Sequence, residues 1–319
     1  MDFTIVTPSF NQAQFLPKTL ESVLSQAGDF SLDYIVMDGG SEDESTEILR
    51  DYDERVRCGK WRPRCRRLRF RWQSERDRGQ AHAVNKGFQL AEGDTLGWLN
   101  SDDIYENDQT LAKVHRHFSS SRDSQFVYGR GYRMDATGTR EKEEWYVTAF
   151  NVEDLPEICY ILQPSAFWRK ELFTVAGPLD ESMHFAFDWD FWIRCSRHAK
   201  LELLDEFLSC NRVYSATKTN CGGMKRKAEI AQLLLKHGGF TQRAINAYLV
   251  DHAHPSPKPT RQFRKDLGRA LRGAPRALLH LPWTLGTAWQ RRKVIARTLL
   301  TPTRAVERAV RRTLRARAA

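Results

Sequence analysis

Short apolar runs alternate with helix-spaced apolar residues through the first 130 residues, and no other feature constrains the fold as strongly. Phe3–Val6, Tyr34–Met37, Leu68–Trp72, Thr95–Leu99 and Gln125–Tyr128 read as strands. Between them, Leu16, Leu20, Val23 and Leu24 recur at helical spacing, and Ile48 and Leu49 lie on a helix expected to start near Ser41. Ala81–Leu90 and Leu111–Phe118 read as two further helices. Strands taking turns with helices build a largely parallel sheet covered on both faces. The expectation is an α/β, Rossmann-like, mostly parallel central sheet flanked by helices, with ligands at the carboxyl ends of the strands. No GxGxxG follows the first strand, so the dinucleotide fingerprint is missing. Residues 131–222 mix short strands with one clear helix, Asp188–His198.

Charge divides the chain. The net charge is +10, yet residues 255–319 hold 17 Lys/Arg against 2 Asp/Glu, a balance of +15, and residues 1–254 stand at −5. The sequence HPSPKP near Pro255 reads as a linker. Beyond it, Phe263, Leu267 and Leu271 form one apolar stripe and Val306, Val310 and Leu314 another, faced by Arg304, Arg308, Arg311 and Arg315. These are basic amphipathic helices suited to an anionic surface. A second basic stretch, residues 55–71, carries nine Lys/Arg and no acid, and reads as a loop. The expected organisation is a domain over 1–222 (halves 1–130 and 131–222), a helical segment over 223–254 closing it, and a basic extension over 255–319. No apolar run reaches the length of a spanning helix. Asp2 follows Met1 directly and Phe3–Val6 is only strand-length, so no export signal is expected. The six cysteines show no CxxC pair or zinc spacing and read as reduced cytosolic thiols.

The acidic clusters fall just after predicted strands: Asp38 in VMDGGSEDES, and Asp102 and Asp103 in WLNSDD. Carboxylates at strand ends meet at the mouth of an α/β sheet, where they suit Mg²⁺ or Mn²⁺ bridging phosphate oxygens. Each alone also reads as a helix N-cap. In FAFDWDFWIRC, Asp188 precedes an apolar helical face of Phe191, Trp192 and Cys195. A carboxylate desolvated among aromatics is a fair general base, and a helix cap is the alternative. His82, His184 and His198 lack ligand spacing and read as ordinary polar residues.

Taken in order, TPSFN, DGGSEDES, SERDRGQAHAVNKG, GWLNSDD, GPLDE and FDWDFW resemble family 2 glycosyltransferases of the GT-A fold over roughly residues 3–220. The resemblance implies an inverting transfer from a nucleotide-diphosphate sugar, UDP-linked by default, with a divalent cation, Mn²⁺ or Mg²⁺. It places Thr7, Pro8, Ser9, Asn11, Asp38 and Gly40 around base and ribose, and Asp77, Gly79, Gln80 and Asn85 beside nucleotide and sugar. Its acidic motif falls on Asn100, Ser101 and Asp102, with Asp102 the metal ligand and Asp103 a second candidate. Asn100 departs from the motif, which has an acid there. Asp188 matches the family's base, with Asp190 the fallback. Tyr214 stands where many relatives carry a histidine, while Arg212, Ser215 and Thr217 remain, and Gln163-Pro164 resembles the acceptor-side wall.

The acceptor implied is a glycan or lipid-linked glycan of cell-envelope polysaccharide synthesis. An anionic membrane surface, the cytoplasmic inner face, would meet residues 255–319 and the 55–71 stretch. Two rivals are a catalytically degenerate sugar-nucleotide-binding protein and a basic nucleic-acid-binding protein. No nucleic-acid partner is expected, because no recognition module accompanies the basic stretches.

Overall fold

The computed structural model describes residues 1–143 and 146–249. The first half runs β1 (Phe3–Ser9), α1 (Leu16–Leu24), β2 (Ala27–Asp38), α2 (Ser45–Arg57), β3 (Arg64–Ser74), α3 (Gln80–Gln89), β4 (Thr95–Trp98), β5 (Ile104–Tyr105), α4 (Thr110–Ser120) and β6 (Phe126–Met134). Then come β7 (Arg140–Glu143), a 3-10 turn (Gln163–Ser165), β8 (Ala166–Arg169), α5 (Lys170–Ala176), α6 (Phe187–Cys195), β9 (Leu201–Arg212), α7 (Lys218–Cys221), α8 (Gly223–His237) and α9 (Gln242–Tyr248).

The strands form one sheet in the order β3-β2-β1-β4-β8-β6-β9-β5, with β7 paired to β6. The block β3-β2-β1-β4 is wholly parallel. Beyond it β8 runs antiparallel to β4 and β6, while β6 and β9 share a long parallel register. The sheet is therefore mostly parallel, as expected. Every residue of β1 is buried, the pattern of a strand covered on both faces. Pro17 opens α1, and Leu16, Leu20, Val23 and Leu24 form its buried stripe. Burying each such side chain contributes about 1.5–3 kcal/mol. Helix α2 begins at Ser45 rather than near Ser41, because residues 39–44 are spent on a loop described below.

The stretch 55–71 corrects the expectation of a basic loop. Arg55 and Arg57 close α2, and residues from Arg64 onward form the edge strand β3. Leu68, Phe70 and Trp72 alternate with arginines, so one face packs into the hydrophobic core and the other is charged. Several of those arginines are matched locally: Arg64 with Asp108 at 2.5 Å, Arg66 with Asp2 at 2.7 Å, and Arg71 with Asp33 at 2.6 Å. Charges of this kind also discourage edge-to-edge pairing.

The chain comprises two compact units, divided between Glu229 and Ile230. Every site residue named above lies in the first. Among the described residues no helix is long and apolar enough to cross a membrane. The amphipathic helices expected over 255–319 lie outside the described residues.

Candidate active site

The loops leaving β1 and β2 are welded together. Asp38, only 2% exposed, accepts hydrogen bonds at Oδ2 from the Gly40 amide (3.1 Å), the Ser41 amide (2.9 Å) and the Ser74 hydroxyl (2.6 Å), and at Oδ1 from the Ser41 hydroxyl (2.5 Å). It shapes the loop rather than capping α2. Ser41 Oγ in turn accepts from the Asn11 amide at 2.8 Å, and Asn11 Oδ1 accepts from the Glu42 amide at 2.9 Å. Asn11 holds a left-handed φ of 51°, which asparagine tolerates. Asp43 closes the weld by accepting from the Ala13 amide at 2.9 Å.

Thr7 and Pro8 are buried within β1, and the Thr7 hydroxyl is paired with the Tyr34 hydroxyl at 3.0 Å. Ser9 differs: its hydroxyl is buried without a hydrogen-bond partner among the described residues, at the end of β1 where the loops diverge. A buried hydroxyl left alone costs free energy, so this atom invites a ligand.

The SERDRGQ segment meets the same rim. A Cβ on Gly39 would lie 2.8 Å from Asp77 Oδ2, so only glycine lets the two loops touch. Asp77 Oδ1 accepts from the Gly79 amide at 2.7 Å, at the start of α3. Gln80 Nε2 donates to Asn100 Oδ1 at 2.6 Å and so ties α3 to the acidic turn.

Asn100 is the hub of that turn. Its Oδ1 also accepts from Trp98 Nε1 at 3.1 Å, and its Nδ2 donates to Gln163 Oε1 (3.0 Å) and Asp103 Oδ2 (3.2 Å). These roles need an amide that both donates and accepts, which the departure from an acid here supplies. Gln163 is anchored by donating to the Trp98 carbonyl at 2.8 Å, so it braces the acidic turn. Ser101 is buried and its carbonyl accepts from the Thr19 hydroxyl at 2.9 Å.

The two carboxylates of the turn face different ways. Asp103, 5% exposed, accepts from the Arg212 amide at 2.8 Å as well as from Asn100. Burial, with the neighbouring Asp102 charge behind it, pushes its pKa well above the usual carboxylate range. Asp103 is therefore a brace, which corrects its candidacy as a second metal ligand. Asp102 Oδ2 accepts from the Tyr214 hydroxyl at 3.2 Å, and burial raises its pKa while Tyr214 and Arg212 pull it back. Arg212 is committed elsewhere, donating to the carbonyls of Asp102 (2.8 Å), Asp135 (3.0 Å) and Ala136 (3.1 Å). Among the described residues no three His, Cys, Asp or Glu side chains cluster as a metal cage. One carboxylate still fits a hard cation whose remaining ligands are phosphate oxygens and water.

The aromatic floor carries the base candidate. Trp98 stacks on Phe187 (5.8 Å) and Trp192 (5.9 Å), fixing α6 against the strand that ends in the acidic turn. Asp188 lies in the first turn of that helix, half-buried, with Oδ1 accepting from the Trp189 amide at 2.8 Å. Desolvation raises its pKa to about 6, opposed by the Trp189 amide and by Lys218 and Arg226. Asp190, by contrast, is 0% exposed and ion-paired with Arg194 at 2.8 Å. That removes it as the fallback base. Asn85 is also redirected: it donates to the Leu179 carbonyl (3.0 Å) and Glu181 (3.1 Å) and accepts from the Leu179 amide (2.9 Å), so it secures the GPLDE loop.

Two further residues of the site carry no sequence signal. Glu229 accepts from the amides of His184 (2.7 Å), Phe185 (2.6 Å) and Ala186 (2.7 Å), clasping the chain just before α6. Lys218 donates to Gln80 Oε1 at 2.9 Å and lies 5.1 Å from the centre of the Phe187 ring. Asp188, Lys218, Gln80, Asn100 and Asp102 thus share one neighbourhood beyond the strand ends.

A family model described as Glycosyl transferase family 2 matches residues 4–186. A PGL/p-HBAD biosynthesis glycosyltransferase of Mycobacterium tuberculosis is 34% identical over 195 residues, covering 60% of this chain and 69% of the relative. An uncharacterised glycosyltransferase of Methanocaldococcus jannaschii is 23% identical over 216 residues, covering 66% and 70%. Among solved structures, S. aureus TarS 1–349 in complex with UDP-GlcNAc matches with a TM-score of 0.59 and 16% identity, covering 86% of this chain and 82% of that one. Its complex with UDP gives 0.56, covering 86% and 81%. Against the longer TarS chain, the match spans 50% of that protein's length.

Proposed function

The chain belongs to glycosyl transferase family 2, has the GT-A fold and is a glycosyltransferase, and we propose that it inverts the anomeric centre of a UDP-linked sugar as it moves it to a hydroxyl of a glycan or lipid-linked acceptor. The observation that carries the reading is the meeting of a half-buried carboxylate near neutral pKa, Asp188, with the Asn100–Asp103 turn through the bond from Lys218 to Gln80 and on to Asn100. In this reading Asp188 takes the acceptor hydroxyl proton, and the oxygen attacks the anomeric carbon opposite the departing diphosphate. Ser9 and the welded loops hold the nucleoside. Asp102 would hold a divalent cation, which supplies charge neutralisation at the diphosphate when bound.

The UDP preference is supported by the UDP and UDP-GlcNAc carried by the fold neighbours. A biosynthetic transfer is in keeping with the mycobacterial relative, a PGL/p-HBAD biosynthesis glycosyltransferase, and the +15 balance of residues 255–319 supports a lipid-linked acceptor met by peripheral attachment at the inner face of the membrane. A thermal-shift screen of UDP-, GDP- and dTDP-sugars with Mn²⁺ or Mg²⁺ tests the donor. UDP-sugars should raise the Tm most, because a ligand bound only by the native state stabilises it. Stabilisation by none of the three would refute the reading. Asp102→Ala should abolish whatever increment metal adds to nucleotide affinity in calorimetry. Equal affinity with and without metal in the unaltered protein would remove Asp102 from that role.

A further inference from the structure

Lys218 carries a charge that, among the described residues, meets no carboxylate within ion-pair distance. Its ammonium is partly buried over two aromatic rings, 5.1 Å from the centre of Phe187 and 5.9 Å from that of Phe185. Among the described residues, its Nζ makes one hydrogen bond, to the neutral amide oxygen of Gln80, and no carboxylate comes within ion-pair distance. Asp188 and Glu229 act on it only through their fields, and burial outweighs them in pulling its pKa down to about 8. Withdrawing a cation from water without a partner is costly, so such a group is retained where an anion arrives to meet it.

The direction of that anion follows from the neighbours. Gln80 passes from Lys218 to Asn100, the first residue of the acidic turn. On the other side, Phe187 immediately precedes Asp188. The ammonium therefore stands between the residue proposed to deprotonate the acceptor and the turn proposed to face the diphosphate. The protein side of that turn is also thin in charge, because Asn100 replaces an acid, Asp103 is turned inward and Tyr214 supplies a neutral hydroxyl to Asp102.

We infer that Lys218 is the protein's own cation for the leaving diphosphate, a catalytic residue that ion-pairs with the donor's pyrophosphate independently of metal. This role rests on the donor-site reading above. As the bond between the anomeric carbon and the β-phosphate oxygen breaks, its electron pair stays on that oxygen and the acceptor proton passes to Asp188. Lys218 keeps its own proton and meets the charge developing on the phosphate. A charged hydrogen bond of this kind is preorganised for the transition state.

The test is calorimetry of the full-length protein in EDTA, using UDP and uridine as probes. Lys218→Met should weaken UDP by about ten- to a hundredfold, the scale of one charge-assisted bond, and leave uridine unchanged. Lys218→Arg should restore most of the UDP affinity, because it returns the charge. In the transfer assay Lys218→Met should lower kcat more than it raises KM. Equal UDP affinity in Lys218→Met and the unaltered protein would overturn the assignment while leaving the donor site standing. A parallel loss of uridine would overturn it in favour of a purely structural role for Lys218. Failure of the unaltered protein to bind either probe would sink the uridine-nucleotide donor site itself, and this role with it.

Discussion

Replacing Asp188 with asparagine should cut turnover by about a thousandfold, the scale of a lost general base, and leave nucleotide affinity unchanged. Asparagine keeps the shape and the oxygen that accepts the Trp189 amide, so α6 and its aromatic floor stay in place. What it removes is the basic site. The same carboxylate sets the pH profile. Its pKa lies near 6 because burial disfavours the charge. Below that pH the base is protonated and idle, so kcat/KM should fall about tenfold per pH unit as the solution is acidified. Above it the profile should level, then fall again as Lys218, whose pKa burial brings down to about 8, loses its charge. Lys218→Met removes a positive charge that favours the ionised form, so the acid limb of that variant should move to higher pH. Turnover of Asp188→Asn equal to that of the unaltered protein would show that the proton leaves by another route.

The second large effect is on folding. Gly93 lies in the turn between α3 and β4, where its amide donates to the Thr4 hydroxyl at 2.8 Å. A Cβ there would fall inside the backbone of Phe3 and Thr4, among atoms that have no rotamer with which to retreat. β1 is the strand between β2 and β4, and it ends at Ser9. Gly93→Ala should therefore destabilise the protein by about 3 kcal/mol or more, at the upper end of overpacking penalties. The measurement is the shift in urea midpoint, read by far-UV circular dichroism. A loss below about 0.5 kcal/mol, the range of an ordinary surface change, would show that β1 yields.

The layered α/β plan was legible because three strands of the parallel block, β1, β2 and β4, carry apolar runs followed by turn residues. β3 was half-legible. Its alternation of Leu68, Phe70 and Trp72 with arginine is a strand signal, but the density of charge suggests a solvated loop until the acids opposite are seen. Those acids come from three distant parts of the chain, and no local pattern announces them. The site divided in the same way. Asp188 announces itself by its aromatic setting. Asp190, two residues on, has the same setting but turns inward to Arg194. The motif likewise could not say that Asn85 is spent on Leu179 and Glu181. Lys218 left no periodic or spacing signal, since its partner Gln80 is far away in sequence. A lysine shortly after a long strand is ordinary until the fold brings it over Phe187.

The shared hydrogen bonds of residues 9–13 and 38–45 have a practical corollary for redesign. Neither segment keeps its shape without the other. On the nucleoside-holding role proposed for these loops, a swap of base preference with a relative would have to transplant both as one cassette, because a chimera receiving a single half inherits mismatched bonds. Over evolutionary time the pair should drift together, so that a change at Asn11 is tolerated chiefly in company with one at Ser41.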